Sequence, residues 1–375
     1  MIKPWSYTEE YRELRSKILK NVDKTLKSGN IFFGNELDKF EKIFAKKNNF
    51  KYGVAVGSGT DALYLSLLAL DIGYGDEVIT VSNTAIPTVS AIKSTGASIK
   101  FVDVDENYLI DVKKIEKKIS NKTKAIIPVH LYGQSCDMSK ILSIAKKYNL
   151  KIIEDCAQAQ GAKFKNRYVG SFGNTGCFSF YPTKILGGYG DGGFISTSSF
   201  PLYKKIKRLR FYGIEQNDKK NKYNNKYYAN EHGTNSRISE LQAAILNIKL
   251  PRVNSFINKR RTIAKTYLKI LKNTNLTLPR EKLNCKHVFH LFVVYHPKRD
   301  LIIKKLKKNK ILVNINYPHP IHKMRAYRKL YDSKDLSNTE KFSKGIFSLP
   351  LYPQLKMNKV VQIAKILRKI LLNFK

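Results

Sequence analysis

The first half of the chain alternates short apolar runs with segments whose apolar residues repeat at helical spacing, from Val54 to about Ile195. Short apolar runs of this kind predict strands buried on both faces, which are typical of a parallel sheet covered by helices. The pattern predicts strands over 53–56, 77–82, 99–104, 125–130, 151–154 and 176–180, and helices over 61–70, 88–94 and 138–148. This half is therefore predicted to be α/β.

The second half has a different pattern. Residues 212–233 are polar and rich in Asn, Lys and Tyr, which predicts a long loop. Helical spacing resumes over 239–250 and continues in amphipathic stretches at 256–271 and 360–372. We therefore expect a large domain over residues 1–249 and a smaller C-terminal domain over residues 250–375.

The composition is that of an ordinary globular protein, since 42% of the 375 residues are hydrophobic. No stretch of the sequence approaches eighteen apolar residues free of charge, and residues 1–15 are polar and charged, unlike a signal peptide. We therefore expect a cytoplasmic protein without a membrane partner. The four cysteines are widely separated and no His/Cys cluster has zinc spacing, so neither a disulfide framework nor a metal site is indicated.

The net charge is extreme, because 69 Lys and Arg residues stand against 29 Asp and Glu residues, giving +40. Such a charge raises a nucleic-acid-binding or regulatory function as a hypothesis of a different class. The distribution argues against it, since lysines are spread over the whole chain and the densest run, 304–310, carries no aromatic residues to stack on bases. We expect no specific nucleic-acid partner, but anionic small substrates should be attracted.

A turn of small residues at 57–61 lies between a predicted strand and a predicted helix. Its glycines let the backbone approach an anion, and Thr60 can cap the helix. The N-terminus of that helix supplies unpaired N–H groups and the positive end of the helix dipole. The segment has the form of a phosphate cradle, although simple helix capping explains the same residues.

A buried apolar strand ends in Glu154 and Asp155, and Gln158 follows three residues later. Both carboxylates are expected at the carboxyl edge of the sheet, where open α/β folds bind ligands. A buried carboxylate needs a cationic partner, and a protonated pyridine nitrogen is one such partner. The anion would hold that proton by raising the pKa of the ring nitrogen. A helix N-cap or a structural ion pair is the alternative.

Lys184 differs from the other basic residues in its surroundings. It follows the segment 179–183, which contains Tyr181 and a proline, and it precedes a glycine-dense run at 185–193. A lysine held in a tight loop after a buried strand suits Schiff-base chemistry, because desolvation and nearby cations lower the pKa of its amine.

A fourth segment, 234–243, lies where the polar loop meets the next helix. Asn235 and Arg237 can donate to phosphate or carboxylate groups, and Glu240 is placed to pair with Arg237. Taken alone, this segment is a capped helix start.

These four segments, in this order and at this spacing, resemble the DegT/DnrJ/EryC1/StrS family of sugar aminotransferases, of fold type I among pyridoxal-phosphate enzymes. The resemblance runs from the Trp5-Ser6-Tyr7 motif to the segment 348–353. It implies a large α/β domain with a mixed, mostly parallel seven-stranded sheet flanked by helices, and a smaller C-terminal α+β domain. It also implies pyridoxal 5'-phosphate as the cofactor.

The resemblance further implies a role for each site residue. Lys184 is the residue that bonds covalently to the cofactor and shuttles a proton. Asp155 resembles the carboxylate that keeps the pyridine nitrogen protonated, and Gln158 resembles the residue that contacts the ring hydroxyl. Asn235 resembles a phosphate contact donated across a homodimer interface, so active sites shared between two subunits are implied. The other implied phosphate ligands are Ser58, Gly59, Thr60 and Ser179.

The segments 82–88, 129–134 and 316–322 resemble the branch that aminates carbon 3 of dTDP-linked 3-keto-6-deoxyhexoses, with glutamate as amino donor. The product implied is a dTDP-3-amino-3,6-dideoxyhexose. Amination at carbon 4 of a 4-keto nucleotide sugar is the alternative. Some relatives have histidine in place of the lysine and dehydrate their substrate, which the retained Lys184 disfavours. The candidates for sugar contact are Tyr181, Tyr189, Tyr317, His319 and His322, although a histidine beside prolines in a loop is more often structural.

Overall fold

The computed structural model describes residues 1–215, 227–328 and 335–372. Its main sheet is built from β1 (Tyr52–Val56), β2 (Glu77–Val81), β3 (Ser98–Val102), β4 (Thr123–Ile126), β5 (Lys151–Asp155), β8 (Thr175–Ser179) and β9 (Gly193–Thr197). The strand order is β1-β9-β8-β5-β4-β2-β3. Strand β9 runs antiparallel to both of its neighbours, and the other neighbouring pairs are parallel. The sequence prediction of a mixed, mostly parallel seven-stranded sheet is confirmed.

Helices precede, separate and follow these strands. They are α1 (Thr8–Lys27), α2 (Asn35–Lys47), α3 (Gly59–Ala69), α4 (Ile86–Ser94), α5 (Met138–Lys147), α6 (Phe200–Leu209), α7 (Glu240–Lys249), α8 (Val253–Leu271), α9 (Arg299–Lys308), α10 (Ser337–Gly345) and α11 (Met357–Leu372). The smaller strands are β6 (Lys163–Phe164), β7 (Arg167–Tyr168), β10 (Cys285–Lys286), β11 (Phe292–Tyr295) and β12 (Ile346–Leu349). Strands β6, β7 and β10 form a three-stranded sheet, and β11 pairs with β12.

Apolar side chains cover both faces of the main sheet. Val54 and Val56 of β1 belong to a buried cluster with residues of α3, α4 and α6, whereas Ala55 belongs to a second cluster with residues of α2 and α7. Successive residues of a strand point to opposite faces, so the unbroken apolar runs in the sequence are required by burial on both sides. The strand pattern is therefore visible in the sequence itself.

Some strand boundaries and several elements differ from the sequence prediction. The strand predicted at 125–130 ends at Ile126, because Pro128 has no N–H to donate to a sheet ladder. The sequence analysis did not predict α1, α2, α6 or the antiparallel strand β9. The loop predicted at 212–233 falls in part on residues 216–226, which lie outside the described residues.

The C-terminal part of the chain has its own apolar cluster. Residues of α8, α9 and α11 pack with both strands of the β11–β12 pair in a buried group drawn from 263–371. The division into domains at residue 250 stays a prediction. Within the described ranges, no helix has both the length and the apolar content that crossing a bilayer requires.

Candidate active site

Asp155 ends β5 at the carboxyl edge of the sheet and is 5% exposed. Its Oδ2 accepts a hydrogen bond of 2.8 Å from the Thr88 hydroxyl, and its Oδ1 accepts one of 3.1 Å from the Ala157 N–H. Burial raises the pKa of the Asp155 carboxyl, and these two donors oppose that rise only in part. The site therefore holds a carboxyl group whose charge is incompletely compensated by its neighbours, so a cationic ligand would be stabilised there.

Lys184 lies in the turn that follows β8. The turn is closed by backbone hydrogen bonds from Lys184 N–H to the Tyr181 carbonyl at 2.8 Å and from Gly188 N–H to the Phe180 carbonyl at 2.7 Å. Burial lowers the pKa of the Lys184 amine, and the nearby Asp155 carboxyl acts in the opposite direction. The lowered pKa increases the fraction of neutral amine, which is the nucleophilic form.

The turn before α3 forms a cradle of small residues. Ser58 is the N-cap of α3, with its hydroxyl accepting from the Asp61 N–H at 3.0 Å. The expectation that Thr60 caps this helix is therefore wrong, and Thr60 lies inside the first turn. A Cβ built on Gly59 would lie 2.7 Å from Cβ of Ser179, so only glycine fits this close approach. Because the first turn of a helix leaves backbone N–H groups without intrahelical acceptors, the cradle suits an anion.

These groups line one cavity of about 280 Å³. It brings together eight of the residues predicted from sequence: Ser58, Gly59, Thr60, Asp155, Gln158, Ser179, Tyr181 and Lys184. The lining also contains Asp191, which the sequence did not single out, and four residues of the segment 82–88 to which no individual contact was assigned: Thr84, Ala85, Pro87 and Thr88. Residues separated by more than 120 positions in the chain thus meet at the carboxyl edge of the sheet.

Gln158 connects this cavity to the C-terminal part of the chain. Its Oε1 accepts a 2.9 Å hydrogen bond from the Tyr132 N–H, and its Nε2 donates a 2.8 Å hydrogen bond to the hydroxyl of Tyr317. Burial raises the pKa of Tyr317, so its hydroxyl stays protonated at neutral pH. Tyr317, a predicted sugar contact, therefore lies beside a predicted cofactor contact.

Two other predicted sugar contacts do not line the cavity. Tyr189 packs against the N-terminal segment, with its ring 5.5 Å from that of Tyr7 and 6.0 Å from that of Tyr11. The Tyr189 hydroxyl is 3.5 Å from Oε1 of Glu10. His319 is exposed. Sugar contact by either residue stays a prediction.

His322 is buried in a hydrogen-bonded link between two parts of the chain. Its Nδ1 lies 2.7 Å from the Ser82 hydroxyl, and its Nε2 lies 3.1 Å from Oε1 of Glu340 in α10. Burial lowers the pKa of His322, and the Glu340 carboxylate opposes that change. These contacts favour the structural interpretation that the sequence left open for this histidine.

Asn235 is exposed and does not line the cavity of its own chain. Its neighbour Ser236 is buried, and the Ser236 hydroxyl accepts from Gly57 N–H at 2.9 Å and donates to Oδ2 of Asp61 at 2.9 Å. The segment that carries Asn235 is thus attached directly to the cradle. Ser236 lies in the segment 234–243 named from sequence, but no role was predicted for it, because a serine in a polar segment gives no signal of its own.

The expected pair between Glu240 and Arg237 is wrong. The Glu240 carboxylate accepts from the N–H groups of Gly34, Glu36 and Leu37, at 2.8 to 3.1 Å, and so stabilises the N-terminus of α2. The Arg237 guanidinium instead lies over the rings of Phe32 and Phe211, at 4.4 and 5.0 Å from their centroids, and donates to Oδ1 of Asn235 at 2.8 Å. The i, i+3 spacing of a helix relates only nearby residues, so it could not predict that Glu240 contacts residues 34–37.

A buried group of His130, Glu154 and Cys156 has the residue types of a metal site. Hydrogen bonds account for the first two, because Glu154 accepts from the N–H groups of Gly170, Phe172 and Gly173 and contacts Nε2 of His130 at 3.0 Å. The other ring nitrogen of His130 accepts from the Cys136 N–H. The group is explained as a structural network.

Comparison with known proteins places the chain in a family. It matches the DegT/DnrJ/EryC1/StrS aminotransferase family over residues 12–368. It is 41% identical to the dTDP-3-amino-3,4,6-trideoxy-alpha-D-glucose transaminase of Micromonospora megalomicea subsp. nigra, with 98% of each chain covered. It is 43% identical to the dTDP-3-amino-3,6-dideoxy-alpha-D-galactopyranose transaminase of Aneurinibacillus thermoaerophilus, with 94% of each chain covered.

The fold agrees with the family match. The crystal structure of S. venezuelae DesV in complex with a ketimine intermediate is similar to the present structure, with a TM-score of 0.93 and 36% sequence identity over 97% of both chains. Sequence, fold and the arrangement of the cavity therefore agree: the chain belongs to the DegT/DnrJ/EryC1/StrS aminotransferase family and is a pyridoxal-phosphate-dependent aminotransferase.

Proposed function

We propose that the chain transfers an amino group from glutamate to carbon 3 of a dTDP-linked 3-keto-6-deoxyhexose, giving a dTDP-3-amino-3,6-dideoxyhexose. The observation that carries the proposed chemistry is that Lys184 and Asp155 line one cavity together with the cradle before α3. The names of the two similar transaminases, both of which specify dTDP-3-amino sugars, support the choice of substrate.

The donor set fits pyridoxal phosphate. The Asp155 carboxyl, whose pKa is raised by burial, would gain a close cationic partner in a protonated pyridine nitrogen. The N–H groups of Gly59 and Thr60, with the hydroxyls of Ser58 and Ser179, offer donors for a phosphate at a helix N-terminus. When bound, the cofactor supplies an electron sink that stabilises negative charge on the carbon bearing the amino group.

Lys184 supplies the nucleophile and the proton carrier. Its lowered pKa leaves part of the amine neutral, so Nζ would hold the cofactor covalently and, when free as an amine, would carry a proton to or from the substrate carbon. Gln158, fixed by Tyr132 and Tyr317, is placed to orient the ring hydroxyl. Thr88 orients the Asp155 carboxyl by hydrogen bonding.

The substrate assignment is tested by offering the purified holoenzyme matched 3-keto and 4-keto dTDP sugars with glutamate. We expect amination of the 3-keto sugar, with the new C–N bond located at carbon 3 by NMR of the product. If the enzyme turned over only the 4-keto sugar, amination at carbon 3 would be refuted. Tight, sequence-selective nucleic-acid binding that persists at physiological salt, without amination of either sugar, would favour the regulatory hypothesis instead.

We also propose a homodimer in which Asn235 reaches the phosphate site of the partner chain. Asn235 is exposed and lies outside its own cavity, while Ser236 joins this segment to the cradle. Exposed apolar side chains near this segment, Phe32 and Tyr212, support burial against a second copy. A shared site then requires both chains for activity.

Subunit complementation tests whether each active site is shared between the two subunits. Lys184→Ala and Asn235→Ala proteins, each poorly active at limiting cofactor, should regain activity when mixed under conditions that exchange subunits. Half of the dimers are then mixed and each has one intact site, so we expect about a quarter of wild-type activity. Confirmed mixed dimers without recovered activity, or full activity of Asn235→Ala alone, would contradict the shared site.

A further inference from the structure

A second cavity, of about 130 Å³, adjoins the candidate active site. The two cavities share Lys184 and Gln158 in their linings. The smaller one is completed by residues of the C-terminal half, including Arg260 of α8, His290 before β11, and Leu351. A group bound there would therefore touch the same lysine that the proposed chemistry uses.

Arg260 is 2% exposed and carries a buried guanidinium. Its Nη1 donates to the carbonyls of Phe289, His290 and Leu351, at 3.0 to 3.4 Å. Its Nε is buried without a hydrogen-bond partner, and among residues 1–215, 227–328 and 335–372 no carboxylate lies within 4.0 Å of the guanidinium. Burial lowers the pKa of Arg260 to about 10, so the group stays positive at neutral pH. The acidic group that acts on this charge is Glu10, which pairs with Lys249 and lies beyond 4.0 Å from Arg260, so an anion bound in the cavity would be a closer counter-charge.

His290 adds a second unpartnered group to the lining. It is 5% exposed, and its Nδ1 is buried without a hydrogen-bond partner in the described structure. Burial, together with the positive charges of Lys184 and Arg260, lowers the pKa of His290 well below its usual range. The imidazole is therefore neutral and has one N–H to donate.

The proposed reaction requires an anion at this place. The amino group of an α-amino acid has to reach the reacting atoms at Lys184, and its α-carboxylate is attached to the same carbon. A carboxylate site next to the lysine is therefore a requirement of any such donor. Arginine is the side chain best suited to it, because its N–H groups match the two carboxylate oxygens.

We propose that the cavity lined by Arg260 and His290 receives the α-carboxylate of the amino donor, with Arg260 as its counter-charge and His290 as a hydrogen-bond donor. This inference rests on the proposed aminotransfer from glutamate. The cavity of about 130 Å³ has room for a carboxylate group, because a single water occupies only about 10–15 Å³ of such volume. Leu291, Leu349 and Leu351 in the lining suit the methylene groups.

The test separates the two half-reactions of the holoenzyme. In Arg260→Gln and Arg260→Lys we expect the KM for glutamate to rise about 10- to 100-fold, because a charge-assisted contact is lost. The rate at which pre-aminated enzyme reacts with the keto-sugar should stay within about twofold of wild type. His290→Phe should show a smaller rise in the same KM.

Arg261 supplies the matched control. It is the next residue of α8, but it pairs with Glu281, at 2.8 Å, and does not line the cavity. Arg261→Gln should leave both half-reactions unchanged. Calorimetric binding of glutarate, a dicarboxylate that cannot react, provides a readout independent of turnover: it should bind wild type and the Arg261→Gln variant, and weaken about tenfold or more in the Arg260 variants.

Three results would overturn the inference. The KM for glutamate could be unchanged in folded Arg260→Lys, or both Arg260 variants could bind glutarate as tightly as wild type. The third is that both half-reactions are slowed equally. The last would make Arg260 purely structural, through its contacts with the three carbonyls. If the wild-type enzyme consumes glutamate through Arg260 yet aminates no keto-sugar, the substrate assignment fails while the carboxylate site stands.

Discussion

Two consecutive carboxyl groups at the end of β5, Glu154 and Asp155, have opposite surroundings. Glu154 is fully buried and accepts from three backbone N–H groups in the segment 170–173, with His130 as a further contact. Asp155 faces the cavity and has two donors, Thr88 and Ala157. Successive side chains of a strand point to opposite faces of the sheet, so these two adjacent carboxyl groups have different surroundings and different roles.

Both carboxyl groups are buried, so burial alone does not identify a functional carboxyl group. Glu154 is satisfied by the fold itself, and its contacts connect β5 to the turn before β8. Asp155 is buried with fewer donors, and its pKa is raised, so the fold leaves it in need of a positive partner. The group that the protein itself leaves under-compensated is the one that a ligand completes.

The largest effect is expected from Asp155→Asn. The amide cannot hold a proton on the pyridine nitrogen, so we expect kcat to fall on the order of 10³-fold, about 4 kcal/mol in the activation barrier. The apoprotein should be at least as stable as wild type, because burial disfavours the charge that is removed. Steady-state kinetics and denaturant unfolding of the apoprotein measure the two quantities.

Asp71→Asn is the matched control for this change. Asp71 is exposed and pairs with Lys205, far from the cavity lining, and the same replacement should leave kcat unchanged. The role assigned to Asp155 would be wrong if Asp155→Asn kept full activity, or if it lost activity only because the protein unfolds.

A smaller effect on activity, but a larger one on stability, is expected from Glu154→Gln. The amide nitrogen would face backbone N–H groups that now donate to an oxygen, so we expect the free energy of unfolding to fall by about 3 kcal/mol. The kcat of the folded fraction should change less than threefold or so. Denaturant titration, with kinetics at a temperature where the variant is folded, measures both.

Glu116→Gln provides the surface comparison, since Glu116 is exposed and pairs with Lys147. It should leave the unfolding midpoint unchanged. A loss of kcat in folded Glu154→Gln as large as that in Asp155→Asn would mean that both carboxyl groups serve the chemistry, and the distinction drawn from their surroundings would be wrong.

Much of the fold was predictable because burial on both faces leaves a direct trace in the sequence. The strands 77–82 and 151–154 were predicted within one residue of the observed ends. Helix α2 was missed, and its N-terminus is stabilised by Glu240, from 204 residues further along the chain. Strand β9 was missed since its glycine-rich start resembles a loop and its pairing is decided by distant neighbours.

In the candidate site, too, some residues were predictable from local sequence and others depend on contacts between distant parts of the chain. Lys184 and Asp155 were found because their segments have unusual local composition: glycines and aromatics in one case, an apolar strand ending in acid in the other. Arg260 and His290 have ordinary sequence neighbourhoods, and their importance comes from what the fold places beside them. Ser236 lies in the segment 234–243, which the sequence singled out for Asn235 and Arg237, but only its contacts with Gly57 and Asp61 give it a role.

By itself, the sequence determined the α/β class and the order of the chemical segments, and it singled out Lys184 and Asp155 as candidates, because periodicity and local composition are properties of short stretches. Only the tertiary structure decided which carboxyl group faces the cavity, which residue caps α3, and that a buried arginine lines a cavity together with Lys184. These depend on strand direction and on contacts between residues far apart in the chain, and neither is encoded in a local pattern.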